Sequence, residues 1–144
     1  MHRLARAAGA DFRPDLFTIR TGAQTADDIV LGSVEYGPLT AGTGLIFVLG
    51  HQSCGAVKAA IAAIRASETA AGHLASLVDA LRPAYDAAAG RPGDLVDNVV
   101  QAQVRLTVER LKRDQPLAER IPAGTLLVVG GRYSLETGAV ELIA

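Results

Sequence analysis

Leu45-Ile46-Phe47-Val48-Leu49-Gly50-His51-Gln52-Ser53-Cys54-Gly55-Ala56-Val57-Lys58 passes from an unbroken apolar run, through a glycine-bounded turn, into an alanine-rich stretch. An apolar run flanked by Gly44 and Gly50 reads as a strand buried on both faces, the habit of strands in parallel sheets. From about Ser53 to Arg65 the spacing of Val57, Ile61 and Ile64 predicts a helix with one apolar stripe. A strand delivered straight into a helix is the unit of an α/β fold. Ligands of open parallel sheets collect at the carboxyl ends of strands, which is where His51 and Cys54 fall.

Working outward, the alternation of strand and helix continues. Leu16–Arg20 (Leu-Phe-Thr-Ile-Arg) reads as a short strand. Asp27–Tyr36 reads as a helix with acidic residues in its favoured first turn. His73–Ala89 carries Leu74, Leu77, Val78 and Leu81 at helical spacing, with Pro83 expected to kink or divide it. After the break at Arg91-Pro92-Gly93, Asp94 is placed to cap a long helix reaching about Arg113. Its stripe is Leu95, Val96, Val99, Val100, Val104, Val108 and Leu111. Thr125–Val129 reads as a second buried strand, and Arg132–Leu142 as a hairpin turning at Thr137-Gly138. The expectation is an α/β fold: a parallel β-sheet core flanked by helices, in one domain over residues 1–144.

The totals exclude several classes. With 49% apolar and 20% charged residues, the 144-residue chain is ordinary for a globular domain with a real core. A formal charge of −1 leaves no electrostatic footprint for nucleic acid. No apolar run is long enough to cross a bilayer, so no membrane partner is expected. The single cysteine cannot close an internal disulfide and points to a reducing cytoplasm.

That cysteine is also the chemically informative one. Imidazole and thiolate suit zinc, and the His51-x-x-Cys54 spacing lets both aim at one ion. Cys54 falls in the first turn of the following helix, where free N–H groups favour a thiolate. Gly50 and Gly55 are read as giving the backbone a sharp turn and close approach to the metal. On this spacing alone, a buried cysteine beside a capping histidine is the commoner outcome. Lys58, one turn beyond Cys54, reads most simply as solvated.

The surrounding residues change that balance. Asp15–Thr21, Leu31-Gly32-Ser33-Val34-Glu35-Tyr36, the block Gly-His-Gln-Ser-Cys-Gly-Ala-Val-Lys within Ile46–Lys58, Gly124–Val129 and the tail Gly130–Val140 follow one another in an order and spacing that resembles the β-class carbonic anhydrases. The resemblance runs from about Asp15 to the end of the chain. It implies a zinc enzyme interconverting carbon dioxide and bicarbonate, assembled as a homodimer or higher homo-oligomer. Family members hold zinc by two cysteines and one histidine, and the metal acidifies a bound water to the attacking hydroxide. His51 and Cys54 match the second and third of those protein ligands.

The match fails at the family's first motif, Cys-x-Asp-Ser-Arg, whose Asp and Arg form a dyad beside the open zinc position. This chain has neither that cysteine nor that aspartate. Aligning backwards from Phe17, with one residue deleted, puts Arg3 at the motif arginine as a remnant of the dyad. The family strand leading into the motif lies between those matching Leu16–Arg20 and Leu45–Leu49. The expected sheet therefore lacks its first central strand, leaving unpaired backbone edges. The N-terminal portion that embraces a partner subunit is missing too. A fragment, or a start placed too late, best explains a chain that begins inside a motif. A degenerate homologue and a substitute ligand are the competing explanations. Among substitutes, His2 aligns one position before Arg3, His73 reads as a helix cap, and Asp15, Asp27 and Asp28 read as local charges. The expectation is a site short of one ligand and little hydration activity. The alternative is a non-catalytic interaction or anion-binding module on the same fold.

Overall fold

The computed structural model describes residues 16–144. Its order is α1 (Asp28–Tyr36), β1 (Leu45–His51), α2 (Gly55–Ala66), α3 (Leu74–Ala88), α4 (Leu95–Arg113), the short α5 (Gln115–Ala118), β2 (Leu127–Tyr133) and β3 (Val140–Leu142). A single-turn 3₁₀ segment at Gly22–Gln24 precedes α1, and a π turn at Gly37–Ala41 follows it. The sheet runs β1-β2-β3. β1 and β2 are parallel, in register from Leu45↔Leu127 to His51↔Tyr133, and β3 returns antiparallel on β2. The parallel core and flanking helices of the expected α/β class are present, with a small mixed sheet.

Caps set the helix starts. The Asp27 carboxylate accepts from Val30 N at 2.8 Å, and Asp94 accepts from Asp97 N at 2.7 Å. Each side chain satisfies a donor the first turn leaves open. α4 then buries Val99, Val100, Val104, Val108 and Leu111 along one stripe. Its middle lies on the sheet because two glycines let it: a Cβ on Gly50 would stand 2.7 Å from a Val104 methyl, and one on Gly130 2.5 Å from another. α2 and α3 pack on α4, joining Val57, Leu81, Ala84 and Val100 in a second cluster that includes Cys54.

Four expectations need correction. Leu16–Arg20 is not a strand: it pairs with no other strand. Its extended pattern finds no neighbouring strand among the described residues. Pro83 does not divide the segment into two helices: α3 runs through it as one element. β1 and β2 are buried on one face only. Val48, Leu126 and Val128 are buried under α4, whereas Leu45, Phe47, Leu49, Leu127, Val140 and Leu142 are 41–67% exposed on the other face. Gly55 is not needed by the turn, having no positive φ and no atom within 4 Å of an added Cβ. No helix among the described residues is long and apolar enough to cross a membrane.

Candidate metal centre

His51 is the last residue of β1, and Cys54 is the N-cap of α2. The turn between them is made by Ser53, whose φ of 56° is left-handed, a conformation costly for a residue with a Cβ. Gly55 has no positive φ, and a Cβ there would meet nothing within 4 Å. The sharp bend thus falls on the serine. Gly50 serves close approach, but of the packed side chains: its Cβ would lie 2.7 Å from Gln24 Nε2 and 2.8 Å from Val100.

Cys54 is 3% exposed, packed with Val57 and Ala23. Being the cap rather than a first-turn residue, it still lies against the open N–H groups of α2. His51 is exposed, and its Nδ1 lies 2.9 Å from the Gln52 carbonyl oxygen. A carbonyl can only accept, so this contact places a proton on Nδ1, and in the neutral ring Nε2 is the nitrogen with the lone pair. That is the arrangement of a ligating histidine, whose second nitrogen donates to a backbone carbonyl.

The support around this pair was only partly legible beforehand. Gln52, the first x of His-x-x-Cys, carries no signal of its role in the sequence. Its Nε2 donates to Glu136 Oε1 at 2.9 Å and its Oε1 accepts from Leu135 N at 3.1 Å, tying the turn to the β2–β3 hairpin. Gln24 closes the other side. Gly44 O accepts from Leu127 N and Gln52 N donates to Tyr133 O, so Leu45, Phe47 and Leu49 turn their backbone groups away from β2. On that free edge Leu49 O receives Gln24 Nε2 at 3.1 Å. Ala23 and Gln24 hold left-handed φ values of 51° and 53° there. Arg132, in register with Gly50, donates from Nε to the Asp97 carboxylate and joins the end of β2 to the first turn of α4. No local pattern announces partners 35 or 84 residues apart.

The donor set stops at two. Among the described residues no three His, Cys, Asp or Glu side chains gather where a metal could sit. Asp27 is spent as a cap, Asp28 faces Arg110 at 3.8 Å, and His73 caps α3 without a side-chain bond. His2, Arg3 and Asp15 lie outside the described residues. Catalytic zinc takes three protein ligands, so His51 and Cys54 fit zinc chemically yet do not complete its site. A shallow depression of about 340 Å³ lies elsewhere, over Leu106, Glu109, Arg110, Arg113 and Asp114 at the far end of α4.

The carbonic anhydrase family model matches residues 6–140. Over 131 residues the sequence is 39% identical to a carbonic anhydrase of Mycolicibacterium smegmatis, covering 89% of this chain and 63% of that protein. The chain thus spans less than two thirds of the length of that relative. The β-carbonic anhydrase CafA of Aspergillus fumigatus superposes with a TM-score of 0.74 at 20% identity, over 89% of this chain and 63% of that one. A tetrameric β-carbonic anhydrase of Sordaria macrospora superposes at 0.68 with 19% identity, over 84% and 62% of the respective chains. At these identities the superpositions speak for the fold.

Proposed function

The chain belongs to the β-carbonic anhydrase family, and from that premise we propose that His51 and Cys54 are the two zinc ligands it contributes to a site for reversible hydration of carbon dioxide to bicarbonate. The observation that carries the reading is the His51 Nδ1–Gln52 carbonyl bond of 2.9 Å, which leaves Nε2 for a metal three residues before the cysteine at a helix start. Arg3 is proposed as the remaining arginine of the family's dyad, and the cytoplasm as the compartment, on the single cysteine.

We further propose that the 144-residue chain alone has little or no such activity, because its one cysteine is already used and no third donor joins the pair among the described residues. Stopped-flow hydration of carbon dioxide by the purified chain with added zinc is expected to match buffer. A rate well above buffer contradicts the proposal.

One observation favours a second reading, an interaction module on the same fold. The sheet face bearing Leu45, Phe47, Leu49, Leu127, Val140 and Leu142 is bare among the described residues. Contiguous apolar surface on that scale marks a protein contact. We propose that a second copy covers it, giving a homodimer or higher homo-oligomer, in keeping with the tetrameric state named for the Sordaria macrospora enzymes.

A further inference from the structure

We infer that Gln52 is the positioning residue of the half site: the hairpin turn grips its side chain, and that grip holds its carbonyl where the His51 ring must donate to it from Nδ1. The inference deepens the reading of His51 as a metal ligand and rests on it for its purpose, though not for its geometry.

Gln52 is tied at every polar group. Its backbone N donates to Tyr133 O at 2.9 Å, extending the β1–β2 ladder by one residue. Its side-chain Nε2 donates to Glu136 Oε1 at 2.9 Å, and its Oε1 accepts from Leu135 N at 3.1 Å and from Ser134 Oγ at 3.5 Å. Its own carbonyl accepts from His51 Nδ1 at 2.9 Å. The amide can face only one way, since a flipped amide would set NH₂ against the Leu135 N–H and oxygen against the Glu136 carboxylate. The gripping turn is itself braced: Ser134 N donates to Ala139 O at 2.9 Å, Gly138 N donates to Ser134 O at 3.0 Å, and Thr137 N donates to Ser134 Oγ at 3.3 Å.

Through these bonds a hairpin more than eighty residues away in sequence fixes the tautomer of His51. A residue held through its backbone N–H and both polar atoms of its side chain presents its carbonyl at a set place, and a neutral imidazole meeting that oxygen must carry its proton on Nδ1. In that neutral ring Nε2 is the nitrogen with the lone pair. A free histidine side chain prefers the proton on Nε2, so the tautomer reports the grip directly. Outer partners of this kind orient metal ligands and raise their basicity.

The test is long-range ¹H–¹⁵N NMR of the imidazole nitrogens in the full, metal-free chain at about pH 8.5, where ordinary imidazoles are neutral. The chain has three histidines, so His2 and His73 serve as internal references. His51 is expected to be protonated on Nδ1. Q52A is expected to shift it to the Nε2-protonated form, E136A to shift it part of the way, and E136Q to restore it, with His73 unmoved throughout. Wild-type His51 protonated on Nε2, or a tautomer indifferent to both Q52A and E136A, overturns the inference. If Q52A does not fold, the E136A and E136Q pair, altering an exposed turn residue, decides it alone. Added zinc then separates the two claims. Movement of His51 Nε2 supports the metal reading as well. An unmoved Nε2 on an Nδ1-protonated ring defeats that reading and leaves the positioning role standing.

Discussion

Ser53 carries the bend that the flanking glycines were expected to carry, and the exchange is informative at the residue scale. Glycine beside a metal motif suggests a backbone bent beyond what other residues allow, but φ values and neighbour distances decide it. Ser53 is left-handed, whereas Gly55 is an ordinary first helical residue with empty space about it. Both S53G and G55A are therefore expected to leave the chain as stable or more so, by up to about 1 kcal/mol each. Urea unfolding measures this, and a clear loss in either variant would show that the turn relies on something other than its φ values. The proposed ligand pair could be named in advance only through the surrounding family motifs, since the His51-x-x-Cys54 spacing alone favours a buried cysteine beside a capping histidine. The tautomer of His51 was not legible, because it depends on Gln52 and Glu136, whose side chains meet across 84 residues of sequence.

Elements whose identity rests on local signals matched their reading. Asp27 and Asp94 cap α1 and α4, the valine stripe of α4 is buried, and the β2–β3 hairpin turns with Gly138 at a φ of 71°. Elements that depend on a partner did not. Leu16–Arg20 has strand-like residues but no strand beside it among the described residues, and a lone extended segment makes no ladder. β1 reads as buried on both faces because its residues are uniformly apolar, yet among the described residues α4 covers one face and the other is exposed. That packing makes its own prediction. G50A must force apart Gln24, Val100 and Val104, all within 2.8 Å of the added carbon, and is expected to cost about 1–3 kcal/mol. A thermal or urea midpoint unchanged by G50A would mean that α4 does not sit on the sheet as described.

At the scale of the whole molecule, the arrangement is a family fold with one sheet edge and one sheet face open among the described residues. The open edge was legible as a gap in the motif order. The open face was not, since burial on a given side depends on what lies across it. Apolar surface of this kind is poorly tolerated by a lone subunit. Light scattering on the purified chain is expected to show a dimer or larger assembly that weakens when Phe47 or Leu127 is replaced by a charged residue. A monomer at every concentration would mean that another partner, or nothing, covers this face. The central claim, however, concerns the half site. Titration of the full chain with zinc, read by calorimetry, tests it most directly. Weak binding is expected, which dialysis removes and H51A or C54S abolishes. Tight, stoichiometric zinc that survives dialysis, or binding indifferent to both substitutions, would contradict it.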